Sequence, residues 1–192
     1  ILPTAAQKLS EAAIIRLSDF SISLTEKKYE VNGTKTNYFS KLFLNCSGSL
    51  SAKTQLAIVT RAIGAVQKKY FSDGEQFEAQ METKQVIHEQ LSETGAVDVP
   101  FVLDRVFQEK EEYKEEIKEQ LEKYKMEPDA RIEPQAESTA RRFEKQHLTT
   151  DTGVEIKIPM EQYRDGEHIE FITGADGSIS ILIKNVGHIT SK

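Results

Sequence analysis

The chain reads as an α+β protein: a helical middle region with an N-terminal hairpin and a C-terminal antiparallel sheet. Three patterns predict this. Apolar residues alternate at period two near the start, as at Phe20, Ile22 and Leu24. They recur at steps of three and four from Leu56 to Tyr70, and they return to period two at Ile179, Ile181 and Ile183. With 192 residues, 38% hydrophobic and 29% charged, the chain can bury a core and keep long solvated helices. Its apolar runs fall far short of the roughly 20 residues that span a bilayer, so no membrane partner is expected.

In chain order, Ile14, Ile15, Leu17, Phe20, Ile22 and Leu24 suggest strands, and Lys27 to Val31 runs into Asn32-Gly33, a tight-turn signal. Thr36 or Asn37 is placed to cap a short helix carrying Tyr38, Phe39, Leu42 and Phe43, and 45–51 reads as a turn. A helix over 52–70 should bury Leu56, Val59, Ile63, Val66 and Tyr70 and leave Arg61 and Lys68 in water. A second, over about 75–93, places Phe77, Met81, His88 and Leu91 on one face before Thr94-Gly95. Asp98 and Pro100 open a short helix with Phe101, Val102, Val106 and Phe107 buried. A charged helix over 108–125 carries Tyr113, Ile117, Leu121 and Tyr124, with Glu111–Lys114 and Glu119–Lys123 as supporting pairs. Pro128 and Pro134 bracket a linker. Ile169–Ile172 and Ser178–Ile183 should pair through a loop at 174–177, with Val154, Ile156 and Ile158 as a third strand and the isoleucine face on the core. The organisation expected is 1–127 as hairpin plus helices and 128–192 as linker and β-rich region, packed as one domain.

The net charge of −6 hides an asymmetry: residues 1–72 carry +6, 73–140 carry −11 and 141–192 carry −1. A basic third beside an acidic middle points to a polyanion-facing surface. Lys27, Lys28, Lys35, Lys53, Arg61 and Lys68 are the candidate DNA-backbone contacts, with Lys41 and Lys69 near them. On a helix at ~100° per residue, Lys53, Arg61 and Lys68 fall within about 80° of one another. Arg141, Arg142 and Lys145 form a second, smaller cluster. The Glu-rich stretch at 109–123 is a solvated face, or a helix–helix contact between copies.

Catalytic signatures are wanting. Gly48 to Thr54 looks like a phosphate-binding loop, but only three residues follow Gly48 before Ala52 stands where the second glycine belongs. Ser49 or Ser51 capping the next helix explains the stretch. His88, His147, His168 and His188 have no metal-ligand spacing, and His88 on an apolar face reads as a hydrogen-bonded core residue. Cys46 is the single cysteine, which excludes a disulfide within the chain and fits a reducing, cytoplasmic compartment. No metal and no cofactor are expected.

Two stretches carry a family resemblance. Asp151-Thr152-Gly153-Val154-Glu155-Ile156-Lys157-Ile158-Pro159, then Ile169-Glu170-Phe171-Ile172 and Asp176 to Gly187, resemble the ending of the bacterial nucleoid-associated proteins of the NdpA/YejK type. Tyr38 to Cys46 resembles that family's aromatic segment. The resemblance implies a non-catalytic, cytoplasmic protein of the bacterial chromosome. Its partner would be DNA, bound along the backbone without strong sequence preference, or another nucleoid protein reached through an interaction or oligomerisation surface. Members are longer than this chain, so an N-terminal domain is expected to be missing from it. The resemblance assigns no individual DNA-contacting residue.

Overall fold

Two compact units make up the chain, residues 1–49 and 50–192. The computed structural model describes residues 9–46 and 48–190, without the side chains of Arg164 and Asp165. Ser47, inside the turn expected at 45–51, therefore lies outside the described residues.

In the first unit β1 (Ala12–Ile15) pairs antiparallel with β2 (Ile22–Thr25), and β3 (Lys28–Val31) with β4 (Thr34–Asn37). Asn32 and Gly33 close the second hairpin at φ 51° and 76°, the doubly positive backbone that a two-residue turn between twisted strands demands. The helix expected next is one π-helical turn, Phe39–Phe43. Neither Thr36 nor Asn37 caps it, because both are strand residues of β4. Glu26 does instead: its carboxylate accepts from the Ser40 hydroxyl at 2.6 Å, the Ser40 N–H at 3.0 Å and the Asn37 side-chain amide at 2.8 Å. The Ser40 hydroxyl above all, with the Ser40 N–H and Asn37, holds the Glu26 carboxyl below its ordinary value. Ile14, Ile15, Leu17 and Phe20 are exposed, and each ribbon of this unit pairs just two strands among the described residues.

The second unit holds the core. α1 (Ala52–Tyr70) starts at Ser51, whose Oγ accepts from the Thr54 N–H at 3.3 Å. α2 (Asp73–Thr94) starts at Ser72, whose N–H and hydroxyl both donate to the Glu75 carboxylate, and ends at Gly95 in the left-handed conformation. Leu56, Val59, Ile63 and Val66 are buried as the periodicity requires. Tyr70 departs from that stripe: its ring stacks on Tyr113, and its hydroxyl stays at the surface to donate to Glu116 at 2.8 Å. His88 is half-buried, with Nε2 3.5 Å from the Ser92 hydroxyl.

Asp98 caps α3 (Val99–Phe107), accepting from the Phe101 N–H at 3.0 Å. Val99, Val102, Leu103, Val106 and Phe107 turn inward, which leaves Phe101 on the outer face and exposed. α4 (Glu111–Lys123) buries Ile117 and Leu121; Tyr124 lies past its last turn and is exposed. Lys114 meets Glu111 and Asp104, each at 2.7 Å, and Lys118 meets Glu115 at 2.6 Å. The expected Glu119–Lys123 pair does not form among the described residues. Where a linker was expected, β6 (Arg131–Ile132) pairs with β5 (Val97–Asp98) and buries Ile132.

The C-terminal β-structure is two ribbons, not a three-stranded sheet. β8 (Glu155–Pro159) pairs with β7 (Lys145–Thr149), and β9 (Ile169–Thr173) pairs with β10 (Ile179–Ile183) in the register Ile181↔Phe171. The Val154–Ile158 segment thus finds its partner upstream. Ile179 and Ile183 are exposed rather than set on the core. The centre of the last hairpin is anchored by Phe171, which packs against Phe77 of α2 and Tyr163 of α6 (Met160–Asp165). Together, helices and separate antiparallel strand pairs make an α+β chain.

Candidate nucleic-acid interface and a cationic cleft

The six candidate cations fall in two sets of three. Lys27, Lys28 and Lys35 belong to the first unit and are all exposed. Lys28 and Lys35 share a face of the β3–β4 ribbon, because Lys35 stands opposite Glu30, two residues along from Lys28. Lys53, Arg61 and Lys68 belong to the second unit and are exposed along α1. Over 15 residues at ~1.5 Å each they span ~22 Å. Among the described residues none of these three forms an ion pair. Lys69, next along the helix, differs: its Nζ lies 2.9 and 3.0 Å from the two oxygens of Glu116. That pair ties α1 to α4, so Lys69 is committed to the fold.

A second feature lies on α1, beside Arg61. Leu56, Ala57, Thr60, Arg61, Gly64 and Gln67 line a cleft of about 490 Å³, facing Gln80, Thr83 and Lys84 of α2. Thr139, Arg142 and Phe143 close its third side. They come from α5 (Glu137–Ala140) and the tight turn Arg141–Phe143 that follows it. This segment is held at the C-terminal end of its turn: Phe143 is buried in the core cluster, and the buried Gln146 amide donates to the Met81 carbonyl at 3.0 Å.

Arg61, Lys84 and Arg142 thereby meet on one cleft from three elements, none paired with a carboxylate among the described residues. Burial, and then the charge of Arg142, push the Lys84 ammonium below its ordinary lysine value. Arg141, the neighbour of Arg142, points to a different use and pairs with Glu137 at 2.7 Å. The fully buried Gln67 amide donates to the Ala79 carbonyl at 3.1 Å and to the Thr83 hydroxyl at 3.0 Å, while its Oε1 meets no donor.

Sequence reasoning put Arg61 and Arg142 in separate clusters and passed over Lys84 and Gln67. A lone lysine in a Glu-rich helix carries no periodic signal. Among the described residues no group of His, Cys, Asp or Glu is arranged to hold a metal ion, and no helix is long and apolar enough to cross a membrane.

A family model, described as nucleoid-associated protein YejK, matches residues 4–190, nearly the whole chain. The chain belongs to the YejK family of nucleoid-associated proteins. No match was found among curated proteins or among solved structures. YejK-family membership ties the chain to the nucleoid. It does not say which surface makes the contact, so the unpaired cations of α1 have to be weighed on their own geometry.

Proposed function

We propose that this YejK-family chain is a non-catalytic, cytoplasmic protein that binds the DNA backbone without strong sequence preference. The observation that carries the reading is the row of unpaired, solvent-facing cations Lys53, Arg61 and Lys68 on one long helix. Lys27, Lys28 and Lys35 offer the first unit's own exposed cations for the same work. Cations of this kind neutralise phosphates and release counterions, which makes affinity fall with salt at a slope of about −0.9 per phosphate in log–log form. Three contacts from α1 correspond to a slope of roughly −2.7.

The test is fluorescence anisotropy with labelled duplexes of unrelated sequence over a salt series. Replacing Lys53, Arg61 and Lys68 by Ala should weaken binding to every duplex alike and flatten the slope by about 2 to 3. A double Lys157→Ala, Lys184→Ala variant should bind as the parent does, because Lys184 is already paired with Glu170 at 2.8 Å. Binding that ignores salt, or a slope unmoved by the triple variant, refutes the assignment.

A protein-interaction or oligomerisation role is the second reading. It is favoured by the first unit, where Ile14, Leu17, Phe20 and Phe43 are each well over half exposed. Sedimentation velocity over a concentration range separates the two: self-association lost on Leu17→Ser with Phe20→Ser supports the second reading.

A further inference from the structure

The cleft beside Arg61 differs in kind from the open row of cations. Its volume of about 490 Å³ lies within the roughly 300–1,000 Å³ of small-molecule sites. Leu56, Ala57 and Phe143 give it an apolar wall, while Arg61, Lys84 and Arg142 give it three cations. Lys84 is half-buried and feels the charge of the exposed Arg142, and among the described residues neither is paired with a carboxylate. Gln67, also among the lining residues, is fully buried, and its Oε1 has no hydrogen-bond donor among the described residues.

Gly64 adds an independent sign. It lies in the interior of a 19-residue helix, where glycine is disfavoured. Its φ is not positive, and a Cβ added there would meet nothing within 4 Å. Neither backbone conformation nor close packing calls for glycine at this position. Its effect is to leave the cleft wide at mid-helix.

We propose that the cleft between α1, α2 and the Arg141–Phe143 turn binds a small phosphorylated organic molecule of mononucleotide size. Its phosphate is held by Arg61, Lys84 and Arg142, and its body lies over Gly64 against Leu56, Ala57 and Phe143. Guanidinium forks match phosphate oxygens two at a time, and the ammonium adds a point charge. This site does not rest on the DNA-binding reading, with which it shares only Arg61.

The experiment is isothermal titration of the whole chain with adenosine and cytidine monophosphates, ribose 5-phosphate, inorganic phosphate, and the nucleosides adenosine and cytidine. The monophosphates should bind, and removing the phosphate should weaken binding at least tenfold. Lys84→Gln with Arg142→Gln should also cost at least tenfold. Gly64→Leu keeps every charge but fills the cleft; it should abolish binding while leaving the salt dependence on duplex DNA unchanged. Circular dichroism and thermal melting confirm that each variant is folded, and if Gly64→Leu does not fold, the Lys84/Arg142 pair decides alone. The proposal is overturned if no probe binds, if nucleosides or inorganic phosphate bind as well as the monophosphates, or if monophosphates bind the folded variants as they bind the parent. Duplex DNA binding that also drops in Gly64→Leu would overturn it too, by making the cleft part of the DNA surface.

Discussion

Ile63 and Gly64 are neighbours in α1, and replacing each by alanine should move stability in opposite directions. Ile63 is fully buried in the core cluster with Val59, Val66 and Ile117. Ile63→Ala deletes three carbon groups worth about 0.8 kcal/mol each on transfer, ~2.4 kcal/mol before any cavity is counted. Partial collapse of the surrounding helices sets the rest, within the roughly 2–5 kcal/mol seen for such truncations. Gly64 points into the open cleft, and an added methyl group meets nothing within 4 Å. Gly64→Ala removes only the conformational penalty of a helix-interior glycine, a gain of about 0.5–1 kcal/mol. Urea unfolding followed by far-ultraviolet circular dichroism measures both. At an m-value shared with the parent, the midpoint should fall for Ile63→Ala and rise for Gly64→Ala. A loss of 1 kcal/mol or more in Gly64→Ala would mean that the cleft is not open at that point, and the reasoning built on its space would fail. A loss below about 1 kcal/mol in Ile63→Ala would refute the assignment of the α1 stripe as the centre of the core.

Three further outcomes are expected. Asp98→Ala removes the cap of α3 and should cost about 0.5–2 kcal/mol in the same unfolding assay. Phe171→Ala should cost roughly 1–3 kcal/mol, less than a fully buried phenylalanine because the ring is only half-covered by Phe77 and Tyr163; limited proteolysis should then cut first in the 169–183 hairpin. Glu26 has a folded value below its ordinary 4.5, so the stability it lends the first unit is present above that pH and is lost as pH falls through the folded value. Amide exchange at Ser40 should therefore gain protection loss on acidification in the parent but be pH-independent in Glu26→Gln, apart from the intrinsic exchange rate.

The helical part of the fold was legible because burial there repeats. Leu56, Val59, Ile63 and Val66 state the same face four times, and Ser51, Asp98 and Gly95 mark ends by backbone chemistry that acts locally. Strand partners were legible where a turn signal joins them, at Asn32-Gly33 and at 174–177, but not for the segment 154–158. The alternation at Ile156 and Ile158 says that one face is apolar, yet nothing in it names Gln146 and Leu148 as the residues across the ladder. β7 hides itself further, as Lys-Gln-His-Leu-Thr buries a glutamine whose amide is used on the Met81 carbonyl. The cap at Ser40 was missed for a similar reason: Glu26 reaches it from 14 residues upstream, and only a fold can shorten that distance. The candidate DNA surface was visible as charge, while the cleft was not. Its three cations come from three elements, and its most telling member, Gly64, is a side chain that is not there.

Net charge is a poor guide to what such a surface does. The chain carries −6 overall, and its densest run of acidic side chains is the helix from Glu111 to Lys123. Much of that acidity is already spent inside the fold: Glu111 and Asp104 enclose Lys114, Glu115 holds Lys118, and Glu116 holds Lys69. The cations of α1 are in the opposite condition, with Lys53, Arg61 and Lys68 exposed and unpaired among the described residues. At physiological salt, exposed charges more than about 8 Å apart hardly sense each other. What an approaching phosphate meets is thus the local set and not the sum, so an acidic protein can present a cationic face. The same screening limits that face to contacts of short range. Raising salt should therefore weaken DNA binding through the few phosphates actually touched, and converting exposed glutamates more than about 8 Å from the α1 row to Gln should leave the slope as it was. A slope that followed total charge instead, steepening with every glutamate removed, would show that long-range attraction and not the α1 row governs the association.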